Sequence, residues 1–434
     1  MLQVHGSAKR TCDGMRRRDF LRVGTLGMTG FALGDLFRAQ ALAGARPKKN
    51  RLKSVVWLWL GGGATHVETF DPKMEAPAEY RSTVGAVKTV VPGVEIGGVF
   101  PQMAAVADRM AFVRSFAHGN SGHAGGTHWV MTGYDHPPAD NGMAPIKPSV
   151  GSILARQRGT YDPGTGVPTY VRLAGIYADG PAWLGTPFAP FDTSGQARNN
   201  MNLNITLDRL EDRKGLLKSL DRLDRSVDKS GLMEGLDSFE GQAFDLIRSR
   251  AKEVFDFNKE SPRVQDRYGR HTLGQQMLLA RRLAEAGCGF ITLHYGGWDM
   301  HGDIAASMKS LCPPMDQAVS AFIEDLTQRG SLDDVLLVIT GEFGRTPRVN
   351  GTAGRDHWAP LSTLALAGGG LKLGQVVGES SAKAEVPKTT PITPQDLLAT
   401  VFHVLDVDPR VQVRDPSGRP TYLLDEGKPI ADLV

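Results

Sequence analysis

The 434-residue chain carries 50 Lys/Arg against 47 Asp/Glu, and residues 1–43 alone hold seven of the basic and three of the acidic groups. The remainder, with 43 and 44, is close to neutral, which excludes the basic footprint of a nucleic-acid-binding protein. No long apolar run follows Phe37, so a membrane span in the mature chain is excluded as well.

At the start, Arg16, Arg17 and Arg18 precede Asp19, Phe20 and Leu21, and an apolar stretch runs from Val23 to Phe37 before the small residues Ala39 to Gly44. Charged, apolar and small-residue regions in that order read as a secretory signal, and the paired arginines point to the twin-arginine route. Gly24, Gly27, Gly30 and Asp35 interrupt the stretch too often for a good membrane span. The expectation is a signal peptide over 1–43, cleaved near Ala43, the twin-arginine translocase as partner, and a periplasmic or secreted product. Met15 serves equally well as a start.

Residues 44–434 read as one α/β domain. Leu52 to Leu60 is a continuous apolar run ending in Gly61, Gly62 and Gly63, the pattern of a buried strand feeding a glycine turn. His66 and Glu68 follow, either aimed into a site or ordinary polar residues of a strand–helix turn. Met110 to Phe116 is a second strand, followed by His118, His123 and His128 among small residues that leave room for a ligand. A helix is expected over 149–158 and a strand over 167–173. The charged segments 203–223 and 239–257 read as a helical insertion at about 203–260. A helix at 273–285 leads to the strand Phe290 to Tyr295 and then to Asp299 and His301, an Asp-x-His pair able to supply one oxygen and one nitrogen to a metal.

After a helix at 315–328, the strand Asp334 to Thr340 meets Gly341, placing Glu342 toward the site. Arg345 and Arg355 match phosphate, sulfate or carboxylate in a fork, unless they form an internal ion-pair network with Glu342 and Asp356. His357 closes this group. A last strand, Ser362 to Leu366, ends in Gly368, Gly369 and Gly370; a helix at 395–404 and a turn-rich tail from Asp406 complete the chain. Buried strands alternating with amphipathic helices predict a mostly parallel central sheet with helices on both faces, and such sheets bind ligands beyond the C-terminal strand ends. Seven of the ten histidines after residue 43 fall in the strand-end motifs, and with Asp299, Glu342 and Asp356 they suggest a mixed His/carboxylate metal site. Cys288 and Cys312 leave one disulfide possible.

The arginine signal, the Thr65-His66-x-Glu68-Thr69-Phe70-Asp71-Pro72-Lys73 run, Gly297-Trp298-Asp299-x-His301, Gly341-Glu342-Phe343-Gly344-Arg345-Thr346-Pro347, Gly354-Arg355-Asp356-His357-Trp358 and the closing Asp415-Pro416-Ser417-Gly418-Arg419-Pro420 together resemble the exported family named domain of unknown function 1501. The resemblance implies the alkaline-phosphatase/sulfatase-like fold, without an established reaction. Against catalytic members of that superfamily, Gly61 to Gly63 stand where a first acidic metal ligand is usual, and His123 stands where sulfatases carry a Cys or Ser nucleophile. The Asp299, His301 and His357 set remains similar and implies one metal.

The leading expectation is a metal-assisted hydrolase of phosphate or sulfate esters, on a small molecule or polysaccharide with an anionic group. Zinc, calcium or manganese would be held by Asp299, His301 and His357, with Glu342, Asp356 and His66 as further candidate ligands. His123 or His128 would act as nucleophile or acid–base group, and Arg345 or Arg355 would clamp the anion. The rivals are a non-catalytic protein binding an anionic or sulfated polysaccharide, and a structural envelope protein. Tyr295, Trp298 and Trp358 could stack on a sugar or simply pack.

Overall fold

The computed structural model describes residues 53–136, 144–193 and 251–434. In chain order its elements are β1 (Ser54–Gly61), α1 (His66–Thr69), β2 (Ala86–Lys88), β3 (Glu95–Gly97), α2 (Pro101–Ala105), β4 (Met110–Val113), α3 (His123–Thr132), α4 (Val150–Arg158), β5 (Tyr170–Arg172) and β6 (Phe191–Asp192). Then come α5 (Ala251–Val254), α6 (Pro262–Tyr268), α7 (Thr272–Glu285), β7 (Phe290–Gly296), α8 (Ile304–Gln328), β8 (Val335–Thr340), β9 (Gly344–Arg345), β10 (His357–Trp358), β11 (Leu364–Gly368), β12 (Gln375–Val377), α9 (Pro394–Val404), β13 (Gln412–Arg414) and β14 (Pro420–Tyr422). The signal region and most of the expected helical insertion lie outside the described residues.

Eight described strands form one sheet in the order β12-β4-β11-β8-β1-β7-β5-β6. β1 sits at its centre, paired in parallel with β7 and β8. Its side chains alternate between two cores: Val56, Leu58 and Leu60 pack with α7 and α8 on one face, Val55, Trp57 and Trp59 with α3, α4 and α9 on the other. A strand buried on both faces must be apolar, which is why Val55 to Leu60 lacks the alternation of a half-exposed strand. The mostly parallel α/β sheet with helices on both faces is as expected.

Three details differ. β11 runs antiparallel to both β4 and β8, so its glycines 368–370 lie at the opposite edge from the other strand-end motifs, where the Gly369 amide meets the carbonyls of Leu332 and Val335. α8 begins at Ile304 and continues through Pro313 and Pro314, because Met308, Cys312 and Met315 keep its buried stripe unbroken. The His123 segment is helical, its glycines allowing close packing: a Cβ on Gly126 would lie 2.9 Å from the Glu342 carbonyl oxygen. Cys288 and Cys312 are buried and free, so the possible disulfide is not formed. Among the described residues no helix is long and apolar enough to cross a membrane.

Candidate metal centre

The C-terminal ends of β1, β7 and β8 are drawn together by the glycine turn after β1. Gly62 and Gly63 have φ of 114° and 78°, a region that suits glycine. Their missing side chains also make room: a Cβ on Gly62 would strike the Trp298–Asp299 backbone, and one on Gly63 the Phe343 ring. The Gly62 amide donates to Glu342 Oε1 at 2.8 Å, tying the turn to the end of β8.

Around this turn stand Asp299 and His301 after β7, His123 at the start of α3, and His357 in β10. His357 Nδ1 lies 3.0 Å from the Ser121 carbonyl oxygen, which can only accept, so this nitrogen carries the proton and the neutral ring leaves Nε2 bare. His301 Nδ1 likewise donates to Asp356 Oδ1 at 2.6 Å. The two bare Nε2 atoms therefore face each other at 3.1 Å, and Asp299 Oδ1 lies 3.0 Å from one and 3.2 Å from the other. Three lone-pair atoms so placed repel unless a cation sits among them, and separations of about 3 Å suit ligands of a single divalent ion. By donor chemistry the residues fit a metal. His123 stands beside the group, a ring nitrogen of it and ligand atoms of Asp299 and His357 all falling within 4.8 Å of one another. The Phe343 ring backs both His357 and His123, with centroids 4.5 and 5.1 Å away.

Burial opposes ionisation of Asp299, but the hydrogen bond and charge of Arg345, aided by His357 and His123, hold its pKa down at about 2. The hydrogen bond from His123 Nδ1 to Glu342 Oε1, 2.8 Å, raises the proton affinity of His123 against its partial burial. Burial, with the Arg345 charge, lowers that of His357 and so favours its bare Nε2. Glu342 Oε2 is buried without a hydrogen-bond partner among the described residues.

The other candidates are placed elsewhere or otherwise engaged. Arg345 is 0% exposed and donates to the carbonyls of Gly62, Gly63 and Arg355 and to Asp299 Oδ1. It holds Asp299 and is not an open anion clamp. Arg355, also 0% exposed, pairs with Glu68 Oε1 at 2.9 Å and donates to several backbone carbonyls, an internal ion pair whose acid is Glu68 and not Glu342 or Asp356. His128 is buried, its Nδ1 on the Tyr134 carbonyl at 2.8 Å and its Nε2 accepting from the Ile146 amide, away from any acid–base task. His66 is buried against the Ala384 carbonyl at 3.0 Å and stays out of the ligand set. Asp356 touches the cluster through His301, and Glu342 through His123. Tyr295, Trp298 and Trp358 pack rather than present open faces: Trp298 is fully buried, and the other two donate to the carbonyls of Leu311 and Glu385.

Sequence reasoning missed two contributors. Phe343 sits beside Glu342 in a motif it did flag, and that adjacency was the available signal. Asn350 carried none: its amide nitrogen donates to the His301 carbonyl at 3.1 Å and reaches Asp356, and its oxygen accepts from the amides of Thr352 and Gly354.

The family model described as Protein of unknown function (DUF1501) matches residues 52–434. No curated protein matches the chain. Similar solved structures include a sulfatase from Pseudoalteromonas sp. (13% identity, 91% of this chain and 73% of that one, TM-score 0.38). A phosphonate monoester hydrolase from Silicibacter pomeroyi (13%, 87% and 76%, 0.35) and the alkaline phosphatase of the Antarctic bacterium TAB5 (11%, 82% and 99%, 0.37) are others. At such identities, with TM-scores below 0.5, none of them lends its chemistry to this chain.

Proposed function

We propose that this chain, which belongs to the DUF1501 family, is an exported metal-assisted hydrolase of phosphate or sulfate esters. The observation that carries the proposal is the convergence of His301 Nε2, His357 Nε2 and Asp299 Oδ1 at 3.0–3.2 Å with both imidazoles turned bare side inward. Two imidazoles and a carboxylate suit zinc or manganese better than calcium, and such an ion supplies Lewis acidity toward an ester oxygen. Arg345 keeps Asp299 ionised and aimed. His123, its proton affinity raised by Glu342, turns Nε2 toward the cluster, 3.6 Å from Asp299 Oδ2, and is the group to hand a proton to a departing oxygen. Export rests on the arginine and apolar pattern of residues 16–44, and replacing Arg16 and Arg17 by Lys is expected to strand the precursor inside the cell.

The test is elemental mass spectrometry of untagged protein purified without added metal, with turnover of 4-nitrophenyl phosphate and 4-nitrophenyl sulfate. About one metal per chain is expected, lost in both His301→Ala and His357→Ala together with turnover, while circular dichroism stays unchanged. Unchanged metal content and turnover in both variants overturn the proposal.

A further inference from the structure

The Asp71-Pro72-Lys73 part of the first motif takes no part in the cluster, yet it lines a cavity of about 440 Å³. The cavity lies between this segment, the tip of the β2–β3 hairpin and Arg114 just beyond β4. Since β11 is antiparallel to both β4 and β8, those two strands run the same way, and Arg114 lies at the same edge of the sheet as the metal cluster. Two strand spacings separate the ends of β4 and β8, roughly 10 Å.

Three cations, Lys73, Lys88 and Arg114, face two carboxylates in this cavity, Asp71 and Glu95. Asp71 is buried and lies between Lys73 Nζ at 3.3 Å and Arg114 Nε at 3.5 Å, with the Ser380 hydroxyl donating to its other oxygen. Arg114 spends Nε on the Phe70 carbonyl and Nη2 on the Glu95 carbonyl, and no acceptor among the described residues takes its Nη1. The Lys88 side chain is exposed and stands directly across the β2–β3 ladder from Glu95, with no ion pair or side-chain hydrogen bond among the described residues. Lys73 sits at φ 49°, a left-handed backbone that a lysine adopts only at a cost of about 1 kcal/mol or more. That backbone turns the Lys73 stem along the cavity, where its ammonium lies between Asp71 and the Ser380 carbonyl. Pro72, Val91 and Pro92 supply apolar walls. Spare donors over a buried, already neutralised carboxylate, inside apolar walls, make a receptor for an anionic group and not for a cation.

We propose that this cavity is an anchoring subsite for a second anionic group, sulfate or carboxylate, on an extended ligand whose ester reaches the metal cluster. The ester end of this assignment rests on the proposed function; the anion subsite does not. Lys73 and Lys88 provide the charge, Arg114 the fixed donor, and the spacing along the sheet edge selects ligands with repeated negative charges over small esters.

The test measures binding of a sulfated hexasaccharide, an unsulfated hexauronate and a neutral hexasaccharide by titration calorimetry, to the wild type, to Lys88→Gln and to Lys73→Gln/Lys88→Gln. Binding of one or both anionic probes and not of the neutral one is expected, and preference between the two identifies the group. The double variant is expected to bind at least tenfold more weakly, with Lys88→Gln intermediate and its own thermal unfolding unchanged, while Lys73→Gln, which leaves the buried Asp71 carboxylate to Arg114 alone, lowers the unfolding midpoint of the double variant. His301→Ala, in contrast, is expected to lose ester turnover and keep the binding. No binding of either anion, or binding that both lysine variants leave intact, overturns the subsite. Lost turnover of 4-nitrophenyl esters in the lysine variants likewise overturns it, since those substrates are too short to reach the cavity. Absent turnover in every form overturns the ester reading and leaves the calorimetric result to judge the subsite.

Discussion

At the scale of single residues, the centre depends on two protons held away from it. Asp356 fixes one by taking the Nδ1 proton of His301, and the Ser121 carbonyl fixes the other on His357. Asp356→Asn replaces a charged acceptor with a neutral one and removes the preference for the bare Nε2. It is expected to weaken metal affinity about 10- to 100-fold, read by competition with a chromogenic chelator, with the fold intact. The sequence made Asp299, His301, His357, His123 and Glu342 legible because an acid or imidazole just past an apolar strand has few places to go but the strand-end crevice. It could not tell a clamp from an internal ion-pair network for Arg345 and Arg355, or a site role from a buried hydrogen-bonding one for His128, whose types are equally suited to a site. For the arginines the engaging partners, Gly63 and Glu68, lie 282 and 287 positions away, and no local pattern carries that.

At the scale of elements, two connections hold the motifs in register. The glycine turn lets the Asp299 backbone and the Phe343 ring approach β1, and the Glu68–Arg355 pair, both 0% exposed, ties α1 to the segment leading into β10. The motifs at 65–73 and 354–358 are thus halves of one buried joint. Glu68→Gln leaves the Arg355 charge without its partner and is expected to cost about 3–5 kcal/mol in a urea melt, with Glu68→Gln/Arg355→Met recovering part of it. Six of the eight strands of the main sheet (β1, β4, β5, β7, β8 and β11) and the helices α4, α7 and α9 were legible from apolar runs and periodicity and from helix starts such as Ser149 and Thr393. α3 was not, because Gly125 and Gly126 lower its helix propensity and only packing against Asn120 and Glu342 explains them. The reversal of β11 was not legible either, since an apolar strand reads the same in both directions.

At the scale of the whole molecule, two buried histidines, His66 and His128, and the half-buried His118 make stability depend on acidity. Burial lowers the pKa of His66, His118 and His128 to about 4, below the usual 6.5, against the hydrogen bonds each makes to a backbone carbonyl. The unfolded chain takes up these protons near pH 6.5 and the folded one refuses them until about 4. Their contribution is therefore complete above about pH 6.5 and shrinks as pH falls toward 4. Thermal midpoints at fixed ionic strength are expected to fall most steeply across that window, and His66→Asn to flatten the slope. The mostly parallel architecture behind this behaviour was readable from the alternation of buried strands and helices, while the short edge strands β6 and β12 were too brief to leave a pattern. The distances in sequence across the cluster carry a further consequence. His123 meets Glu342 across 219 positions, and His357 meets the Ser121 carbonyl across 236. Loops of that length close late and slowly, after local helices and neighbouring strands have formed. The centre is then among the last things the chain assembles, and an ion bound as proposed would be a certificate of completed folding, stabilising only molecules that have already finished.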